Sequence, residues 1–445
     1  MNFRIENARG QCYDGAATMA GSKTGVATQF KSLNEKMLFT HCYGHALNLA
    51  IKETCSKVQC LKETFETVHE ICKLVEKSPQ RDTKLTDLRE KSKNESKGVH
   101  SFCPTRWTVR GETLKSITNN HQELLDLWEW SLSVLKDTEM KARIIGVNSV
   151  MKKFSFFFGC CLGECLIRQT DNLSKTLQDP RLSAAEGQAI AANVIETLRK
   201  DRNDARFTMF WQTLMKRKDD FPEIEDPVLP RKRKAPQRFE EGSTGHFFQT
   251  PEDYYRKMFF EAYDNVINGI EARFDQNDFK IYTNLQEVIL RSFNGKDNTD
   301  ALEKTVAMYK DDFDEFSLQT QLKLLLSIAQ DAGYRVGEIN IADALKIFRS
   351  LEVNKRLLLS EVLILAKLVI VSPATNAVSE RSFSALKRLK SYLRSTTGDN
   401  RLNHLMVLHV HQDKTDRLDL KKVANEFVGN NDNRKRMFGF FKDKC

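Results

Sequence analysis

The amino-acid sequence predicts a mixed, predominantly α-helical protein with a small α/β portion. Three observations carry this. Only 20 glycines and 9 prolines occur in 445 residues, about half the usual share, so obligatory turns are few. Apolar residues make up 40% of the chain and recur mostly at helical spacing. One segment, Met37 to Thr40 running into His41 and Cys42, instead reads as a short buried strand followed at once by a helix, which is the grammar of an α/β sheet.

Taken in order, Val26 to Phe30 is helical, Met37 to Thr40 a strand, and Ala46 to Ile51 the start of a helix. One evident strand cannot make a sheet, so others lie elsewhere or the sheet is incomplete. From about 60 to 215 the period is helical. Ser183 and Glu186 form a capping-box pattern ahead of Ile190, Val194 and Leu198. Phe207, Phe210, Trp211 and Leu214 repeat the stripe, and Phe154 to Phe158 is apolar enough to require a helical core. Residues 216–252 hold five of the nine prolines, which no continuous helix can cross, so an exposed linker is expected. Helical pattern resumes at Phe259, Tyr263, Val266 and Ile270, and again from Leu322 to Ile328. Leu363 to Val371 is an apolar run. A helix with Phe383, Leu386, Leu389 and Leu393 on one side follows, then a second with Leu402, Leu405, Met406 and His409. Beyond Lys421 a frayed, mobile tail is expected.

The net charge is +9, compatible with a polyanionic partner. From Arg381 onward 15 Lys and Arg face seven acids, so nearly the whole excess sits at one end. Arg381, Lys387 and Arg388 lie opposite the Phe383 stripe, where they are solvated or meet an anion. Arg231, Lys232, Arg233 and Lys234, flanked by prolines, suit nuclear import or simply a solvated linker. Mean hydropathy is −0.48 and the apolar run 357–371 is too short for a bilayer, so no membrane partner is expected. No secretory start is seen, and ten cysteines at irregular spacing read as free thiols. Cys160, Cys161 and Cys165 read as buried helix thiols. There is no G-x-G-x-x-G, P-loop, G-x-S-x-G or H-E-x-x-H, so no nucleotide cofactor or small-molecule substrate is indicated.

Three strings remain. The first is Tyr13-Asp14-Gly15 through Gly21. The second is His41-Cys42-Tyr43-Gly44-His45, with Arg106-Trp107 further on. The third is Ser372-Pro373 through Ser379-Glu380-Arg381-Ser382-Phe383. In this order and spacing they resemble the hAT family of DNA transposases and the host proteins derived from them, closest to the zinc-finger-MYM-like and THAP-like members. The resemblance implies an incomplete ribonuclease-H-like α/β fold interrupted by a large all-helical insertion domain. The implied domains are 1–60, with the second acidic position and C-x-x-H; 61–355, the helical insertion; 356–425, the remainder of the α/β fold with the dimerisation region; and 426–445, a basic tail.

In that family three carboxylates hold two metal ions that clamp the attacking and leaving oxygens of strand transfer. Asp14 matches the second acid and Glu380 the third. Cys42 and His45 match the C-x-x-H element, and Arg106 and Trp107 an insertion-domain motif near the DNA end, so the resemblance makes all four nucleic-acid-binding candidates. The resemblance also makes Phe383, Leu386, Leu389, Leu393, Leu402, Leu405 and Met406 a face shared between two subunits. Only 13 residues precede Asp14, too few for the strands that lead to the first acid. The expectation is therefore a nuclear homodimer without resident metal or catalysis, in which Asp14 and Glu380 are relics. Read alone, Asp14 is a turn former, Glu380 an acid in a helix's first turn, and Arg106 with Trp107 a packing pair. Two alternatives stand: a Mg²⁺-dependent strand-transfer enzyme whose first Asp lies upstream, and a monomeric helical scaffold.

Overall fold

A computed structural model describes residues 4–99, 110–179, 182–230, 248–391 and 396–441. It divides into two compact units, Met1–Thr375 and Asn376–Cys445; the sequence-based division at 355/356 falls inside the first. Both are predominantly helical.

The first unit opens with two strands, β1 (Gly10–Tyr13) and β2 (Leu38–His41). They are parallel, in register from Gly10↔Leu38 to Tyr13↔His41, and are the only paired strands among the described residues. The crossover runs through the short helices Ala17–Ala20 and Val26–Leu33. Sequence reading missed β1 because nothing in Gly10-Gln11-Cys12-Tyr13 alternates apolar with polar. Its one buried residue is Gln11, whose amide nitrogen donates to the Ala27 and Met37 carbonyls at 3.0 and 3.1 Å. Gly10 is required by crowding, since a Cβ there would stand 2.5 Å from Pro373 Cδ and 2.6 Å from Tyr282 Oη.

The outer edge of β2 is closed without a strand. The Phe39 amide donates to Asp278 Oδ2 at 2.9 Å and the His41 amide to Gln276 Oε1 at 3.1 Å, which satisfies donors that would otherwise template another chain. Helix Tyr43–Lys57 then begins three residues earlier than its apolar spacing indicates. It packs on helix Pro251–Phe274, with Gly269 lying against Ala50 at 3.2 Å from an added Cβ.

The core of the helical middle is Phe154–Leu177. Phe154, Phe156, Phe157 and Phe158 are all buried, because helices Gln59–Glu76, Arg110–Asn119 and Ala184–Asp201 pack on different sides of it. Each buried ring contributes roughly 1.5–3 kcal/mol. An aromatic cluster of Phe158, Phe207, Phe210, Tyr255 and Phe259 has ring centroids 4.6 to 5.7 Å apart for its contacting pairs. The Ser183 capping box forms, the hydroxyl accepting from the Glu186 amide at 3.2 Å. Helix Asp204–Asp219 carries on past residue 216, and the helix after the proline-rich stretch begins at Pro251, capped by Thr250 and Asp253.

The second unit holds helices Ala377–Leu389, Asp399–Val410, Gln412–Thr415, Leu420–Gly429 and Asp432–Phe438. The first two pack together, burying Ala385 and Leu402. The expected frayed tail is instead helical through Phe438. Asp419 and Asn431 cap its two helices, and the Phe441 amide donates to Asn425 Oδ1 at 2.7 Å. No helix among the described residues is long and apolar enough to cross a membrane.

Candidate functional site

The carboxyl ends of parallel strands gather functional side chains, because loops and helix N-termini converge there. Here β1 ends at Asp14 and β2 at Cys42, whose amide donates to the Tyr13 carbonyl at 3.0 Å. The segment Ser372-Pro373-Ala374-Thr375 lies against the same end. Thr40 Oγ1 donates to the Pro373 carbonyl at 2.7 Å, and the Tyr43 amide to the Ala374 carbonyl at 3.3 Å. Cys42 Sγ sits 3.6 Å from Thr375 Oγ1. The structure thus brings the second string of the sequence together with the opening of the third.

Asp14 Oδ1 accepts the Ala16 amide at 3.2 Å, an Asx turn that shapes the loop after β1. The His41 and His45 rings stand 5.5 Å apart. Burial, then the His45 and Arg273 charges, hold the His41 pKa down at about 4, so its imidazole is neutral near pH 7. Cys42 is buried and His45 half-buried. Among the described residues no three His, Cys, Asp or Glu side chains converge where an ion could sit.

In the second unit Glu380 lies in the first turn of helix Ala377–Leu389. Arg381, Lys387 and Arg388 are exposed along it. Phe383 is 68% exposed, while Leu386, Leu389, Leu405 and Met406 are half-buried and Leu402 is buried. Arg106, Trp107, Leu393 and the run Arg231, Lys232, Arg233, Lys234 lie outside the described residues. Sequence reading missed a further set of exposed apolar side chains at the end of the first unit: Val353, Leu357, Leu358, Ile370 and Val371. Their signal is present, since the run 357–371 stands out as apolar and falls in the expected dimerisation region 356–425, but spacing does not say which of its side chains stay uncovered.

Two known regions match the chain: the ZBED1 RNase-like helical domain over residues 40–142 and the hAT family C-terminal dimerisation region over 342–413. The first region spans His41–His45, Arg106 and Trp107 and the second spans Ser372–Phe383, so in these two regions the chain is similar to hAT-derived proteins, the resemblance its second and third strings carry. It is 23% identical over 435 residues to the 52 kDa repressor of the inhibitor of the protein kinase of Homo sapiens, and 22% identical over 438 residues to the Mus musculus protein of that name. Each alignment covers 94% of this chain and 55% of the relative, so the chain spans about half the length of these curated relatives.

Proposed function

We propose that the chain is a transposase-derived regulatory protein that acts in the nucleus as a homodimer and contacts nucleic acid without cutting it. The observation that carries this is the coincidence of the dimerisation-region match over 342–413 with a dense set of exposed large apolar side chains in the same residues. Val353, Leu357, Ile370, Phe383, Val407 and Leu408 are all at least 45% exposed. Apolar side chains at such density belong against a second copy, because a shared apolar face is the usual core of a two-fold interface. The similarity to proteins named as repressors supports a regulatory role.

On this reading β1, β2 and helix Tyr43–Lys57 belong to a ribonuclease-H-like sheet, and the helices of the middle are its insertion. Cys42 and His45 are structural at the strand ends, Arg381, Lys387 and Arg388 meet phosphates, and Arg231 to Lys234 direct nuclear import. Asp14 serves its Asx turn. Light scattering of the wild-type chain is expected to return twice 51.3 kDa; a mass of one chain overturns the dimer.

A second reading is favoured by one observation, the position of Asp14 directly after β1, where an acid of the family's site belongs. A longer product would then be a Mg²⁺-dependent strand-transfer enzyme. Metal-dependent nicking by such a product that is lost in Glu380→Ala would support it.

A further inference from the structure

Within the first unit a cavity of about 240 Å³ runs between helices Phe154–Leu177 and Asp204–Asp219. Its lining residues fall on one face of each helix: Cys161, Glu164, Cys165 and Arg168 on one wall, Arg206, Phe210, Thr213 and Arg217 on the other. Three guanidinium groups thus border one trough. Arg217 is fixed by neutral acceptors, Thr118 Oγ1 at 3.0 Å and Asn119 Oδ1 at 2.9 Å, with Glu164 Oε2 at 3.7 Å. Arg206 Nε is buried without a hydrogen bond and stands 3.6 Å from Asp201 Oδ2. Arg168 is exposed and has no hydrogen bond or ion pair among the described residues. Three cations therefore face two carboxylates.

We propose that this trough holds the phosphodiester backbone of a nucleic-acid strand, with Arg168, Arg206 and Arg217 as its contacts. Guanidinium forks match phosphate oxygens in pairs, and Arg is favoured over Lys for that geometry. The length of the trough selects the ligand. Arg206 and Arg217 lie about 16 Å apart along their helix, a span that a single phosphoryl group cannot bridge and that successive phosphates of one strand can. Partial compensation by Glu164 and Asp201 reduces the mutual repulsion of the three guanidinium groups when the site is empty. The contact is to backbone and carries no base sequence, so binding is steeply salt-dependent and sequence-tolerant.

This inference rests on the nucleic-acid part of the proposed function and is tested separately from the dimer. A fluorescein-labelled single-stranded DNA and its duplex are titrated with the full chain by anisotropy between ~50 and ~200 mM salt. Arg168→Glu, which breaks no contact of the fold, is expected to weaken binding roughly five- to tenfold and to lower the salt slope by about 1. Arg206→Gln, checked by its melting curve, is expected to weaken it in the same direction. Light scattering on the same samples reports the dimer independently. An Arg168→Glu protein that binds DNA with the wild-type affinity and slope overturns the site, as does a phosphoserine peptide that binds more tightly than either DNA. Wild-type protein that binds neither DNA overturns it together with the nucleic-acid reading, while leaving the dimer standing.

Discussion

The hydroxyl of Thr40, on β2, donates to the main-chain carbonyl of Pro373 at 2.7 Å across 333 residues of sequence. Thr40 is fully buried, so water cannot replace the bond. Thr40→Val keeps the shape and orphans the carbonyl, a loss of ~1–3 kcal/mol. The urea midpoint of Thr40→Val is expected to fall while that of Thr40→Ser stays near wild type; equal midpoints for the two would show that the bond contributes nothing.

Tyr43 is stacked between Phe274 and Phe279, with ring centroids 5.1 and 4.2 Å away, and its hydroxyl donates to the Ala184 carbonyl at 2.7 Å. The ring cannot yield. A Cβ on Gly187 would stand 2.3 Å from it, so Gly187→Ala is expected to cost ~1–3 kcal/mol through overpacking. Gly146, also helical, has nothing within 4 Å of an added Cβ, and Gly146→Ala is expected to stabilise by ~0.5–1 kcal/mol. Opposite shifts in melting temperature check the pair.

His121 is buried against Phe157 and Phe221, at centroid distances of 6.3 and 5.3 Å. Burial lowers its pKa from 6.5 to about 4, against the opposing charges of Glu123 and Glu223 and with a smaller push from Arg217. A folded-state pKa below the unfolded one favours the neutral ring. The stabilisation is therefore complete above pH 6.5 and is lost as pH falls toward 4, by on the order of 3 kcal/mol. Denaturation midpoints measured across that range are expected to decline, and to decline less in His121→Phe.

Two apolar stretches are available to the proposed dimer, one around Leu357 and one around Phe383. Leu357 is 73% exposed, so Leu357→Asp leaves the fold of a single chain intact. It is expected to shift the light-scattering mass toward one chain at low concentration if that surface meets the partner. Leu386→Asp with Leu389→Asp and Leu405→Asp tests the second stretch in the same way.

Helices with a broad apolar face were readable from spacing alone, and the Ser183 capping box was readable to the atom. What escaped was carried by polar atoms or by neighbours distant in the chain. β1 has no apolar alternation because its inward residue is Gln11, satisfied by two carbonyls. The start of the Tyr43 helix was hidden because Tyr43 is anchored by Phe274 and Phe279, more than 230 positions away. The strings around Asp14, His41 and Ser372 were legible as a set, and 372–375 does lie at the end of β2. That Leu357 and its neighbours stay uncovered could not be read from spacing, which marks a residue as apolar without saying what it faces.

The clasp on the sheet has a cost in time. Arg9 Nε meets Asp312 Oδ2 at 3.2 Å, Phe39 meets Asp278, and Thr40 meets Pro373. Each partner is made hundreds of residues after the strand it secures. At ~5–20 residues per second of synthesis, the two strands leave the ribosome roughly 15–65 s before Pro373 exists. Asp278 and Asp312 are made within that interval, so the clasp closes in stages, and a nascent chain released before residue 373 would lack its last bond.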